Sequence, residues 1–204
     1  MVLTARRPEP LREAAEAIGA RGLAADTAVP EQFADVVAAA GAVDLVVHAA
    51  GVMDGTFVRK ESLEAFETVV RTNLTSAFVV AHEALPAMGP GGRFVFLSSS
   101  SAHAPQPGRS AYSASKAGLH AVTLSTAKEL GKFGIRVNSL SPAVATDMTQ
   151  VMDERLRKVA ASRRPLKIDG SPRDVAEGAL FLVSDRSRFV TGDTLHVDGG
   201  LHLN

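Results

Sequence analysis

The amino-acid sequence predicts an α/β protein in which a parallel sheet is covered by helices on both faces. Short runs rich in β-branched residues alternate with longer stretches of helical periodicity along the chain. Most of the short runs are continuously apolar rather than alternating, which is typical of strands buried on both faces. A repeated order of strand, helix and strand requires right-handed crossovers. We therefore expect a doubly wound, three-layer parallel sheet.

Each predicted element follows from its local pattern. Five apolar runs predict strands over residues 1–5, 43–51, 92–100, 135–142 and 193–200, and a shorter strand is expected over 22–26. Helical periodicity predicts helices over residues 10–19, 30–40, 62–88, 111–133 and 172–184. The last helix begins with the capping-box pattern of Ser171, Pro172 and Asp174. Residues 144–170 are weakly patterned and form a candidate lid.

Length and composition limit the classes of function. The chain of 204 residues is expected to form one domain, 1–204. Because 22 basic residues balance 22 acidic ones, neither nucleic acid nor a membrane is a favoured partner. The chain has no cysteine, and its histidines show no metal-ligand spacing, so we predict neither disulfides nor a metal site. It has no signal peptide and no apolar run long enough to span a bilayer, which predicts a soluble, cytoplasmic protein.

A tyrosine and a lysine four residues apart give the first indication of chemistry. Tyr112 is the only tyrosine, and residues four apart share one face of a helix, so its phenol is expected beside the ammonium of Lys116. A neighbouring positive charge lowers the pKa of a phenol and makes it a usable proton donor. Ser99 lies at the carboxyl end of an apolar strand, where open α/β sheets bind ligands. The alternatives are a half-buried tyrosine beside a solvated lysine, and a serine that hydrogen-bonds only the strand end. Small residues around the pair predict close approach of a ligand to this helix: Ser113, Ala114, Ser115, Ala117 and Gly118.

Seven motifs follow one another in a fixed order along nearly the whole chain. They are "AADTA" (24–28), "HAAG" (48–51), "RTNLTSAF" (71–78), "LSSSSA" (97–102), "YSASK" (112–116), "GIRVNSLSPA" (134–143) and "VTGDTLHVDGG" (190–200). In this order they resemble the short-chain dehydrogenase/reductase family, and are most similar to its 3-oxoacyl-(acyl carrier protein) reductase type. The resemblance implies a Rossmann-like fold. Sugar-nucleotide epimerases also carry YxxxK but need a substantial carboxyl-terminal domain, for which residues 113–204 are too short.

The resemblance also implies a role for each residue at a matching position. Tyr112 would be the general acid in carbonyl reduction, and Ser99 would hydrogen-bond the substrate oxygen. Lys116 would lower the pKa of Tyr112 and hold the nicotinamide ribose. Asn73 would interrupt its helix and hold a water molecule that passes protons to the lysine.

The cofactor positions follow from the same resemblance. Asp26 matches the acid that contacts the adenine ring, and the backbone of Ala49, Ala50 and Gly51 matches the floor of the cofactor site. Pro142, the backbone of Val144 and Thr146 match the positions at the nicotinamide. Arg6, directly after the first strand, favours NADPH because a guanidinium group suits the 2′-phosphate, although arginines there are also common surface residues.

The chain departs from the family pattern at its beginning. The first strand and the glycine-rich turn TGxxxGIG are missing. In the strand order 3-2-1-4-5-6 this strand lies in the middle, so its two neighbours are expected to lose their shared partner, and the pyrophosphate loses a helix N-terminus. The sequence is then either a fragment or a mis-started version of an intact enzyme, or a remodelled protein with impaired cofactor binding. Two smaller departures are His48, where asparagine is commoner and for which we predict strand-end hydrogen bonding, and Ala143, where glycine is usual.

Two functions remain open from the sequence. The first is an NADPH-dependent reductase of a small-molecule ketone or a 3-oxoacyl thioester, possibly carrier-bound, acting as a homo-oligomer (dimer or tetramer). The alternative is a catalytically silent relative that acts through association with a homologue. Basic residues in the candidate lid suit an acidic carrier protein or a CoA phosphate, or form a solvated helix face: Arg155, Arg157, Lys158, Arg163, Arg164 and Lys167.

Overall fold

The computed structural model of the chain describes residues 1–144 and 161–203. The strands in this part are β1 (Val2–Ala5), β2 (Arg21–Ala24), β3 (Val43–His48), β4 (Met88–Leu97), β5 (Arg136–Pro142) and β6 (Thr194–Val197). The α-helices are α1 (Pro8–Ala17), α2 (Pro30–Ala40), α3 (Leu63–Val70), α4 (Ser76–Ala84), α5 (Ser110–Leu130) and α6 (Pro172–Val183). The predicted alternation of strands and helices is confirmed.

The strands pair in parallel but form two sheets. One sheet has the order β1-β2 and the other the order β3-β4-β5-β6. Within the described residues, no strand pairs with the second edge of β1 or of β3. This confirms that the two strands expected to flank the missing one lack a shared neighbour. Leu45 and Val47 of β3 are 45% and 43% exposed, whereas strands inside a parallel sheet are normally buried on both faces.

Helices cover both faces of the four-stranded sheet and give the predicted three layers. Phe94 and Phe96 of β4 are fully buried in a core that includes Ala77 of α4 and Leu119 of α5. Val95, between the two phenylalanines, points to the other face because side chains alternate along a strand, and it packs with Leu182 of α6. The two sheets share the first core, since Val2 of β1 and Val46 of β3 both pack against it.

The helix predicted over 62–88 is interrupted. Helix α3 begins after Ser62, whose hydroxyl accepts a hydrogen bond from the Ala65 amide at 3.1 Å. A π-helical turn, Arg71–Thr75, then separates α3 from α4, and a 3-10 turn, Leu85–Ala87, follows. Strand β4 consequently starts at Met88, four residues before the predicted position.

The capping box predicted at α6 is present. The Ser171 hydroxyl accepts from the Asp174 amide at 3.4 Å, and the Asp174 carboxylate accepts from the Ser171 amide at 2.7 Å. None of the helices in the described part of the chain combines the length and apolar character that a membrane span requires.

Candidate active site

The residues singled out from the sequence follow the carboxyl ends of the strands. In a parallel sheet these ends share one edge. Arg6 follows β1, Asp26 follows β2, residues 49–51 follow β3, Ser99 follows β4, and Val144 follows β5. Tyr112 and Lys116 lie in the first two turns of α5, which leads from this edge of β4 back to β5. The topology thus places the predicted chemistry where α/β sheets bind ligands.

Tyr112 is buried and hydrogen-bonded to the side chain of Ser99. Burial raises the pKa of Tyr112, and neither the hydrogen bond from Ser99 nor the charge of Arg109 offsets that effect. Lys116 is not among the causes of this shift in the described arrangement, and its effect on the phenol stays a prediction. A raised pKa leaves Tyr112 protonated near neutral pH, which is the form that donates a proton.

Lys116 lies close to Tyr112 but its ammonium is directed elsewhere. The Nζ atom is 5.8 Å from the centroid of the Tyr112 ring and donates a hydrogen bond to the carbonyl of Leu97 at 2.7 Å. The side chain is buried, and this burial lowers the pKa of Lys116 to about 8. Burial thus brings the pKa of Lys116 toward neutral pH.

Asn73 lies in the π-helical turn and joins three segments of the chain. Its Nδ2 donates to the Val52 carbonyl at 2.9 Å and to the Ser115 hydroxyl at 3.0 Å, and its Oδ1 accepts from the Val52 amide at 2.7 Å. The side chain is 0% exposed. We call this group, formed by Asn73, Val52 and Ser115, the Asn73 clamp. It fixes the loop after β3 to α5 between Tyr112 and Lys116.

Two small residues of α5 accommodate the π-helical turn, and not a ligand as expected. Ser115 accepts from Asn73, and its own hydroxyl donates to the Tyr112 carbonyl at 2.7 Å. A Cβ atom at Gly118 would lie 2.7 Å from Cδ2 of Leu74, a distance that real Cβ contacts do not show. These roles were missed because a small residue indicates close approach without indicating which partner approaches.

Gly51 is required by contacts within the protein. A Cβ atom there would lie 3.1 Å from Oδ1 of Asn73 and 3.6 Å from Nζ of Lys116. The backbone after β3 therefore passes directly against the Asn73 clamp. Ala49 and Ala50, just before it, are exposed at the end of β3, so their backbone remains accessible to a ligand.

His48 makes the hydrogen bond predicted for it at the end of β3, and its partner is Ser76 of α4. Its Nε2 lies 2.9 Å from the Ser76 hydroxyl, which itself donates to the Thr72 carbonyl at 2.6 Å. Because that hydroxyl proton is already used, Nε2 of His48 is the donor. Burial, and secondarily the charge of Lys116, lower the pKa of His48 to about 4.

The residues predicted for the adenine end lie on the smaller sheet. Arg6 is exposed directly after β1. Asp26 is partly buried, and one of its carboxylate oxygens accepts from the Ala28 amide at 2.9 Å, while its own amide donates to the Gln32 side chain at 2.8 Å. These bonds hold the loop after β2, and the second oxygen of Asp26 accepts no hydrogen bond from the residues that the structure describes.

Part of the predicted site lies outside the described residues. This applies to Thr146, to most of the candidate lid, and to the basic residues Arg155, Arg157 and Lys158. Of the basic residues beyond them, Arg164 is paired with Asp169 at 2.9 Å, and Lys167 donates to the carbonyls of Ser162 and Arg164. Pro142 ends β5 and Val144 follows it, both partly buried.

Comparison with known proteins assigns the enzyme class. Residues 1–202 match the family described as Enoyl-(Acyl carrier protein) reductase. A 3-oxoacyl-[acyl-carrier-protein] reductase FabG of Rickettsia felis is 34% identical over 174 residues, which are 84% of this chain and 72% of the relative. The FabG of Staphylococcus epidermidis is 32% identical over 178 residues, 86% of this chain and 73% of the relative.

Solved structures agree with this result. A short-chain type dehydrogenase/reductase of Mycobacterium ulcerans has a TM-score of 0.93 and 29% identity, with 100% of this chain and 80% of that chain covered. A dehydrogenase/reductase of Sinorhizobium meliloti has a TM-score of 0.88 and 30% identity, with 98% and 84% covered. The fold and these matches define an NAD(P)-dependent oxidoreductase. The chain belongs to the short-chain dehydrogenase/reductase family, and within it resembles the 3-oxoacyl-(acyl carrier protein) reductases.

Proposed function

We propose that this protein reduces a ketone or a 3-oxoacyl thioester with NADPH, and that Tyr112 is the general acid. The observation that carries the proposal is the buried Tyr112, hydrogen-bonded to Ser99 and adjacent to Lys116 at the carboxyl edge of the larger sheet. The relatives named FabG support a carrier-bound 3-oxoacyl substrate.

The cofactor residues fit a dinucleotide that lies along the carboxyl edges of the strands. Arg6 and Asp26 would hold its adenosine end, the backbone of 49–51 its middle, and Lys116, Pro142, Val144 and Thr146 its nicotinamide end. Gly51 has no side chain to fill the space beside Asn73 and Lys116. When bound, the cofactor supplies the hydride, and the protein supplies orientation and proton transfer.

Tyr112 and Ser99 would act directly on the substrate carbonyl. The Ser99 hydroxyl donates to the carbonyl oxygen and holds it against the Tyr112 phenol. As negative charge develops on that oxygen, the Tyr112 Oη–H bond breaks and the proton moves to the oxygen, which gives the alcohol. Because the pKa of Tyr112 is not lowered toward neutrality, the proton is present before the reaction.

Lys116 would hold the ribose and restore the proton of Tyr112. Its pKa of about 8 keeps the ammonium largely charged at neutral pH, so it attracts the phenolate left after proton transfer. Asn73 would bind a water molecule on the route to Lys116. The side-chain amide of Asn73 already donates hydrogen bonds to Val52 and Ser115. We therefore assign the water to a backbone carbonyl oxygen within the π-helical turn that contains Asn73.

The decisive experiment measures NADPH oxidation by the purified protein over a panel of ketones and 3-oxoacyl thioesters. Tyr112→Phe is expected to lower kcat at least about 100-fold and to leave NADPH affinity nearly unchanged, because it removes only the proton donor. Ser99→Ala should lower kcat, whereas the matched control Ser98→Ala, whose hydroxyl bonds His120 at 2.8 Å, should not. Lys116→Ala should impair both kcat and NADPH affinity. Substantial turnover by the phenylalanine variant would refute the role of Tyr112.

The second candidate function is association with a homologue without catalysis, to which the edges of β1 and β3 that no described strand pairs with would be open. That candidate predicts no NADPH oxidation with any substrate of the panel, together with a stable complex with an active family member. We also propose that the protein forms a homo-oligomer, a dimer or tetramer, in the cytoplasm. Sedimentation of the purified protein measures that state.

A further inference from the structure

Three potential metal ligands converge just beyond β6, where the sequence predicted no metal site. They are His196 in β6, Asp198 after its end, and His202 in the 3-10 turn Leu201–Leu203. One ligand atom from each lies within 4.8 Å of the others. The three residues are close together in the sequence, but their spacing does not match a regular metal-binding motif.

The separations suit a small divalent cation. Nδ1 of His202 is 2.9 Å from Oδ2 of Asp198, and Nδ1 of His196 is 3.8 Å from the same oxygen. In a tetrahedral zinc site with bonds of about 2.0–2.2 Å, neighbouring ligand atoms are about 3.3–3.5 Å apart. The two distances to Asp198 lie on either side of this range, so each pair of atoms would have to shift by about half an ångström. The two stacked rings would also have to turn so that both nitrogen lone pairs point at the ion.

The backbone already holds the carboxylate in place. The Asp198 side chain is 1% exposed and accepts hydrogen bonds from the amides of Gly200 at 2.8 Å and His202 at 2.9 Å. Gly199 and Gly200 both have positive φ, of 64° and 85°, and this turn brings His202 back over Asp198. Hydrogen bonds that orient a ligating carboxylate are typical of built metal sites.

One atom of the group lacks a partner. Nδ1 of His196 is buried and makes no hydrogen bond among the described residues. The interaction between His202 and Asp198 accounts for the positions of those two side chains within the turn. It does not explain why Nδ1 of His196 is buried beside a carboxylate without a hydrogen bond. The rings of His196 and His202 are stacked with centroids 3.9 Å apart, so both nitrogens face the same carboxylate. Leaving such a group unpaired costs free energy that a metal–nitrogen bond would recover.

We propose that His196, Asp198 and His202 bind a divalent first-row transition metal ion, for which Zn²⁺ is the best match, with water in the fourth position. Two neutral imidazoles and one carboxylate are ligands that Zn²⁺ prefers. The side chain of Arg164 passes beside the turn, since its Cδ would lie 3.3 Å from a Cβ atom at Gly199, and its guanidinium is paired with Asp169. The bound ion connects the turn at 201–203 to β6.

The test is calorimetric titration of the metal-free full chain with Zn²⁺, followed by titration with Co²⁺, whose visible absorption reports tetrahedral geometry. The expected result is one ion per chain and a higher thermal midpoint with Zn²⁺. His196→Ala and His202→Ala should each weaken binding at least tenfold and abolish the thermal shift. His82→Ala is the matched control, because that side chain is 68% exposed and interacts only with its neighbours Glu83 and Phe78 among the described residues.

A second variant separates ligand loss from misfolding. Asp198→Asn keeps the shape of the side chain and an acceptor oxygen for one of the two backbone amides, those of Gly200 and His202, yet removes the anionic ligand. It should retain the circular dichroism of the wild type and lose at least tenfold in Zn²⁺ affinity. If the wild type binds no Zn²⁺, or if folded Asp198→Asn and His196→Ala bind it as tightly as His82→Ala does, the proposal is wrong.

Discussion

Replacing Asn73 with alanine is expected to destabilise the protein by about 3 kcal/mol. The substitution removes three hydrogen bonds, two that Nδ2 donates and one that Oδ1 accepts. Each contributes roughly 1 kcal/mol, and the amide and carbonyl of Val52 are left without their partner. Because native proteins are stable by only about 5–15 kcal/mol, the loss is a large share of the total.

The assay is urea unfolding followed by circular dichroism, supported by a thermal scan. For a chain of this length, about 3 kcal/mol lowers the melting temperature by roughly 6–12 °C. Asn73→Asp is the closer variant, since its carboxylate still accepts from the Val52 amide but cannot donate to the Val52 carbonyl or to Ser115. It should be destabilised as well, and more so at pH 8 than at pH 5, because a buried carboxylate is costly when charged.

The control is Ser62→Ala, which removes only the N-cap of α3 and should cost about 1 kcal/mol. If Asn73→Ala loses no more stability than this control, the Asn73 clamp does not hold the loop after β3. A second readout follows from its position: Asn73→Ala should also weaken NADPH binding, because Val52 directly follows the backbone of Gly51.

Three further predictions follow from the sheet and its edge. The pKa of His48 is lowered from 6.5 to about 4, so between these pH values the unfolded chain binds more protons than the folded one. The stability of the protein should therefore fall as the pH drops from 6.5 to about 4. In urea unfolding at several pH values, His48→Asn should reduce this slope, and an unchanged slope would contradict the assignment. Arg6→Ala should weaken NADPH binding and leave NADH binding nearly unaffected in fluorescence titrations, and an unmoved preference would mean that the 2′-phosphate is bound elsewhere. We consider a chimaera in which the first strand of the family and its glycine-rich turn precede residue 1. It should be more soluble than the 204-residue chain and bind NADPH at least tenfold more tightly, a gain of about 1.4 kcal/mol. Equal affinities would show that the lack of a strand between β1 and β3 in the described structure does not limit binding.

The sequence was sufficient for the elements and for the edge on which the site lies. Continuous apolar runs and ordered motifs predicted the strands, the three layers, and the break beside β3. The interruption of the helix over 62–88 came only from the resemblance at Asn73, because a π-helical turn depends on distant partners such as Val52 and Ser115. Helical periodicity does not show those partners.

Side-chain direction was the main source of error. A spacing of four residues placed Lys116 on the same helix face as Tyr112, but a long side chain can turn to another acceptor, here the Leu97 carbonyl. Burial is the largest influence on the pKa of Tyr112. The group of His196, Asp198 and His202 was missed for a related reason, since it exists only because two successive glycines reverse the chain.

In the part of the chain that the structure describes, no strand lies between β1 and β3, and the two sides are expected to differ in local stability. The unit formed by β1, α1 and β2 packs against the rest through the shared core, with no ladder of backbone hydrogen bonds to β3 among the described residues. Local opening proceeds in such cooperative units, so amide hydrogens of β1 and β2 should exchange with solvent faster than those of β4 and β5. Arg6 and Asp26 belong to this less protected unit, whereas Ser99 and Tyr112 belong to the better protected one. Binding of the adenosine end of the cofactor would therefore be coupled to ordering of the unit formed by β1, α1 and β2. Slower exchange of the amide hydrogens of β1 and β2 in the presence of the cofactor would show this coupling.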